Sequence, residues 1–222
     1  MPNARRQEKW NAILATSAID GHTWIHIVGT AGSGKSVLLQ DIVDDAVAGD
    51  ERLLVYTFNP KGIGDETIED ARRLEKSIYL LQRKCQDGLQ DRKVFIAIHE
   101  WHLLFRLVSD PKRLYESILD IFQNSRKWGV VFGVATQTLE LDPAYNIRLR
   151  ETSYGMYLKI LLGSRALVVA RQTWKTNDAR YLWLLQQERM CVICDSHSIR
   201  VAIIPEIQNK LNNKHEQNAI QN

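Results

Sequence analysis

Short apolar runs and longer amphipathic stretches alternate along this chain. Residues 23–28 (TWIHIV) form a β-rich run that leads straight into a glycine-rich turn. Helical spacing follows at residues 37–48, with Leu38, Leu39, Ile42, Val43 and Ala46 on one face. Residues 52–58 (RLLVYTF) predict a second strand, closed by the turn signal Asn59-Pro60-Lys61-Gly62. A second helix is expected over residues 67–86, through Ala71, Leu74, Ile78 and Leu81. Residues 94–98 (VFIAI) are continuously apolar, as a strand covered on both faces should be. A helix over 111–127 and a buried strand over 130–135 (VVFGVA) come next. Strand alternating with helix is the pattern of a parallel sheet packed on both sides.

The remaining segments extend that plan. Residues 154–162 predict a fifth strand, and 164–172 and 178–187 have helical spacing. Residues 189–194 and 198–204 predict a hairpin turning at Asp195-Ser196-His197. At the start, Trp10, Ile13 and Leu14 give residues 5–18 a weak helical stripe. Residues 206–222 are polar and Asn/Gln-rich and read as a flexible tail, leaving one domain over residues 1–205.

Composition narrows the class. The chain has 222 residues, 45% apolar and 25% charged, which suits one globular domain. No run of about 18 apolar residues is present, so no membrane-spanning segment is expected. Three cysteines and a polar, charged start predict a reducing, cytoplasmic setting without a disulfide framework. The net charge of +3 neither requires nor excludes nucleic acid. Residues 126–189, however, hold ten basic and five acidic residues, a local excess of +5 suited to a phosphate backbone or simply to solvent.

The turn after the first strand carries chemistry. Gly29-Thr30-Ala31-Gly32-Ser33-Gly34-Lys35-Ser36 fits G-x-x-x-x-G-K-[ST] at every defined position, between a strand and a helix as the motif requires. Glycines let successive backbone N–H groups converge on an anion, and the helix that follows adds its positive end. The expected cradle is Gly29, Thr30, Ala31, Gly32, Ser33, Gly34, Lys35, Ser36 and Val37. Lys35 would reach the β- and γ-phosphates of ATP, and the Ser36 hydroxyl would ligate Mg²⁺.

Hydrolysis needs further groups at neighbouring strand ends. The third strand closes with His99-Glu100, where most P-loop ATPases of this arrangement have Asp then Glu. Glu100 can polarise water. His99 is a poor partner for Mg²⁺, which prefers hard oxygen, and is expected near the ion rather than on it. The fourth strand runs into Thr136-Gln137. In P-loop proteins with a catalytic glutamate this strand lies between the loop strand and the glutamate strand, which would turn Gln137 toward the γ-phosphate.

Taken in order, GTAGSGKSVLLQDIV, Asn59-Pro60-Lys61, Ala135-Thr136-Gln137 and the closing MCVICD…SIRVA resemble the FtsK/HerA superfamily over roughly residues 20–205. The resemblance implies a RecA-like α/β sheet with a C-terminal hairpin, ATP with Mg²⁺, and a homo-oligomeric, hexameric ring that moves or packages duplex DNA. It also implies an arginine reaching into a neighbour's site, with Arg165 first, Arg150 second and Arg148 also in range. Asn59 and His99 replace acidic residues usual in the family. The stripped core looks more like small viral packaging or mobile-element ATPases than full-length FtsK.

Other readings carry less. His99-Glu100-Trp101-His102 lacks the i, i+4 spacing of a zinc-protease helix. Cys191, Cys194 and His197 offer no fourth zinc ligand, and buried thiols are expected instead. Trp101 reads as core. A nucleotide-dependent switch or scaffold with weak or no turnover is the first alternative function, motivated by His99. A P-loop small-molecule kinase is the second, disfavoured by the strand-end Glu/Gln pair.

Overall fold

The computed structural model describes residues 22–60, 64–88, 92–137, 157–163, 190–194 and 199–203. The described strands are β1 (Trp24–Val28), β2 (Leu54–Phe58), β3 (Val94–Ile98), β4 (Val130–Thr136), β5 (Tyr157–Leu162), β6 (Met190–Cys194) and β7 (Ile199–Ile203). They form one seven-stranded sheet in the order β2-β3-β4-β1-β5-β6-β7. Pairings from β2 to β5 are parallel. β6 and β7 close the sheet antiparallel, as the expected hairpin.

The described helices are α1 (Lys35–Gly49), α2 (Asp65–Gln86), α3 (Trp101–Leu107), α4 (Pro111–Gln123) and α5 (Ser125–Trp128). Strand alternation sends odd and even positions to two separate cores. Ile25, Ile27, Phe95, Ala97, Val131 and Ala135 face α1, which contributes Leu38, Leu39, Ile42, Val43 and Ala46. Trp24, Val94, Ile96, Ile98, Phe132 and Val134 face α2, α3 and α4. Helices therefore cover both faces of a mainly parallel sheet, the α/β architecture the sequence predicts.

Each face has its own anchor. Trp24 is fully buried and meets Trp101, Phe122 and Phe132 at ring-centroid distances of 5.8, 4.9 and 5.1 Å. Contacts of this kind add to simple area burial. On the opposite face Gly133 lets α1 settle against β4. A Cβ there would lie 2.5 Å from Leu39 Cδ1 and 2.8 Å from Phe95 Cε1.

Three expectations need correction. The strand expected from Arg52 begins at Leu54, because the Asp50 carboxylate accepts from the Arg52 amide and the Asp50 carbonyl from the Leu53 amide, tying both residues into a turn. The helix expected over 111–127 is two helices. Asn124 leaves the helical conformation (φ −104°, ψ 7°) and donates its side-chain amide to the Asp120 carbonyl. Finally, α3 was not expected, although Trp101, Leu104 and Phe105 have its spacing and are all buried. The expected helices at 5–18, 164–172 and 178–187, and the tail, lie outside the described residues.

Among the described residues no helix is long and apolar enough to cross a membrane.

Candidate functional site

β1 delivers the chain to the carboxyl edge of the sheet, where it turns through residues 29–34 into α1. The Ser33 amide donates to the Thr30 carbonyl at 3.2 Å, and the Leu38 amide to the Gly34 carbonyl at 2.9 Å. Gly34 joins turn to helix in the left-handed conformation (φ +83°, ψ 11°), a region costly for any residue with a Cβ. No side chain caps α1. Its first-turn amides, Lys35, Ser36 and Val37, have no acceptor within the helix and point where an anion would sit. The Ser33 hydroxyl is buried there without a hydrogen-bond partner.

Lys35 is only 5% exposed, and its ammonium donates to the Thr30 carbonyl at 2.9 Å. Burial lowers its pKa, and the Glu100 carboxylate opposes that shift. The cation thus lies inside the loop with a carboxylate facing it from another strand. A triphosphate would release it from Thr30 and give it stronger partners.

The sheet order brings the remaining residues together. β4 lies between β1 and β3, so the tips holding Gln137 and Glu100 are neighbours beside the loop. Val28 pairs with Thr136, and the Gly29 amide donates to the Thr136 carbonyl at 3.1 Å. Gln137 follows at once and is exposed. Glu100 is half-buried and forms the N-terminal boundary of α3, its carbonyl accepting from the Leu104 amide at 3.1 Å. Trp101 turns into the core at 1% exposure. Asn59 is exposed beyond β2.

His99 is fully buried at the tip of β3. Phe95 and Ala97 face α1, and His99 follows the strand directly. Its amide donates to the Phe58 carbonyl at 2.9 Å, which fixes the backbone, but neither ring nitrogen makes a well-formed hydrogen bond. Burial pushes the imidazole pKa down, and the Ser36 backbone opposes the shift.

Beneath the tips lies a pair that sequence reasoning missed. His26 Nε2 and Thr136 Oγ1 are 2.7 Å apart and fully enclosed. Burial, reinforced by Lys159 and His102, pushes the His26 pKa well below its ordinary value. A lone histidine inside TWIHIV was the only available signal, and nothing local named its partner 110 residues away.

Magnesium is a poor match to these side chains. Ser36 supplies a hydroxyl, but the buried position next to it is an imidazole where a carboxylate would suit the ion. Among the described residues no group of three or more His, Cys, Asp or Glu forms a metal cage. Cys191 is buried and in no disulfide among the described residues, and His197 lies outside them. So do Arg148, Arg150 and Arg165.

A glycine-turned loop between β1 and α1, with its lysine enclosed and two polar strand tips alongside, defines a P-loop nucleotide-binding fold. Comparison with solved structures agrees on the fold. The conjugation coupling protein TcpA of pCW3, determined with ATPγS, is similar at a TM-score of 0.51 and 13% identity over 90% of this chain. The chain spans 65% of that structure's length. The genome packaging NTPase B204 of Sulfolobus turreted icosahedral virus 2, also with ATPγS, aligns over 82% of this chain and 96% of its own (15% identity, TM-score 0.46). EssC ATPases 2 and 3 from Geobacillus thermodenitrificans align over 91% of this chain and 44% of theirs (13% identity, TM-score 0.47). The fold shared with TcpA is the α/β P-loop fold that the sequence predicts. No family model and no curated protein matches the sequence.

Proposed function

We propose that the chain is an ATPase core of the FtsK/HerA kind, a single domain over residues 1–205 that binds ATP in the cradle from Gly29 to Val37 and hydrolyses it. The observation carrying this reading is the enclosure of Lys35 opposite Glu100, on a sheet whose order sets β4 between them. Lys35 and the loop amides take up charge on the transferring phosphoryl group. Glu100 orients and deprotonates the attacking water. The Gln137 amide holds that water and a γ-phosphate oxygen together. An arginine from a neighbouring copy, Arg165 or Arg150, completes the cage.

The same reading assigns a hexameric ring acting on duplex DNA, in keeping with the basic excess in residues 126–189 and with TcpA's part in conjugation. ATP turnover measured with and without duplex DNA, alongside the mass of the assembly with ATPγS, tests it. Stimulated turnover by a ring is expected. Turnover indifferent to DNA in a monomer would remove the motor assignment.

One observation favours a second reading. His99 stands where a carboxylate normally serves the metal, so ATP could order an assembly without being consumed. Tight ATP binding with no turnover, with or without DNA, would support this switch.

A further inference from the structure

Two side-chain pairs pin β1 to the chain around β4, one at each end. At the amino end Ser125 Oγ, from the short helix that precedes β4, donates to Thr23 Oγ1 at 2.6 Å. At the carboxyl end His26 Nε2 and Thr136 Oγ1 lie 2.7 Å apart. All four side chains are buried. The second pair sits where the nucleotide reading places the chemistry. Thr136 is held to β1 twice, through its hydroxyl to His26 and through its carbonyl, which accepts from the Gly29 amide at 3.1 Å. Gly29 opens the loop, and Gln137 follows Thr136 directly. Resting on the ATP-hydrolysis reading, we propose that His26 and Thr136 are positioning residues: their hydrogen bond locks the tip of β4 to the strand that feeds the loop, and so sets Gln137 against the γ-phosphate held there.

Packing alone gives no reason for this pair. Every other residue of β1 and β4 is apolar or glycine. Apolar side chains at positions 26 and 136 would fill the same core, whereas each polar atom enclosed there must find a partner or cost stability. What a short, enclosed hydrogen bond adds is a fixed direction. Hydrolysis is sensitive to direction, since a displacement of about 1 Å at a positioning group can cost about 100-fold in rate. Burial, reinforced by Lys159 directly across from His26 on β5, keeps the ring neutral near pH 7. One ring nitrogen then donates and the other accepts, and a hydroxyl can meet either, so the bond persists in both tautomers.

Single-turnover ATP hydrolysis and ATPγS affinity, measured where every variant is fully folded, test the assignment. Thr136→Val should lose about tenfold or more in hydrolysis with affinity within a few-fold, and Thr136→Ser should restore the rate. His26→Leu should behave as Thr136→Val does. Ser125→Ala removes a hydroxyl from the remote pair and is the control: it should lower the denaturation midpoint and leave hydrolysis unchanged. In a Gln137→Ala background Thr136→Val should cost almost nothing further, because the two changes remove one effect. Should Thr136→Val fail to fold, Thr136→Ala carries the same comparisons. Unchanged hydrolysis in Thr136→Val, an equal loss in Ser125→Ala, or an undiminished loss in the absence of Gln137 would each overturn the proposal while leaving the ATP site intact. No hydrolysis by the unaltered protein would remove the turnover reading and this inference with it.

Discussion

The first turns of α1 and α4 are built on opposite principles. α4 begins with Asp110, whose carboxylate accepts from the Arg113 amide at 3.0 Å, followed by Pro111, which has no amide to satisfy. Its neighbourhood is equally complete. The buried Glu75 carboxylate accepts from the Ser109 hydroxyl and backbone, from the Asp110 amide and from Tyr79. α1 begins with Gly34, has no side-chain cap, and leaves the Ser33 hydroxyl buried without a hydrogen-bond partner. Both helices pack a well-filled apolar face, so stability explains neither difference. A helix start that serves only the fold is sealed by its own sequence. One that stays open at a strand tip, around an enclosed lysine, is arranged for something brought from outside.

Substitutions can break this contrast. The largest effect is expected for Lys35→Ala, which removes the cation enclosed by the loop. ATPγS affinity measured calorimetrically should fall by about 100-fold or more, about 2.8 kcal/mol, with turnover lost. Glu100→Gln should leave affinity within a few-fold while single-turnover hydrolysis drops by about 100-fold or more, the scale of general-base catalysis. Normal hydrolysis in that variant would remove Glu100 as the base. Asp110→Ala should act only on the fold. Denaturant titration is expected to show a loss of about 1 kcal/mol for the missing cap, with nucleotide affinity unchanged.

Acid sharpens the same contrast more gently. His26 and His99 both have folded-state pKa values below the ordinary histidine value. The unfolded chain therefore binds protons that the folded chain refuses. Their contribution to stability is complete above about pH 6.5 and is lost as the pH falls from there toward the folded-state values, by at most about 1.4 kcal/mol per pH unit for each group. Thermal unfolding from pH 7 to pH 5 should show this decline. A flat profile in that interval would mean that both rings already accept protons in the folded protein.

The parts legible in the sequence were those governed by local pattern. A β-rich run marked β1, continuous apolar runs marked β3 and β4, and the glycine spacing marked the cradle, because each signal lies within a few residues. Sheet order came only through resemblance, since no local feature states that β4 lies beside both β1 and β3. α3 was missed because a seven-residue helix gives barely two turns of apolar spacing, and Trp101 drew notice as an aromatic rather than as the start of a helix. The His26–Thr136 pair was beyond reach for the same reason as all long-range pairing. His99 was visible as an odd residue from the start, but its burial is a property of the folded sheet.

The central claim is that the open turn before α1 and the tips of β3 and β4 form one triphosphate site. A structure of the protein with ATPγS tests this most directly. The account predicts that Lys35 Nζ leaves the Thr30 carbonyl for the γ-phosphate, with Glu100 and Gln137 on the side from which water would attack. A nucleotide seated elsewhere, or Lys35 still bonded to Thr30 beside bound ATPγS, would contradict it.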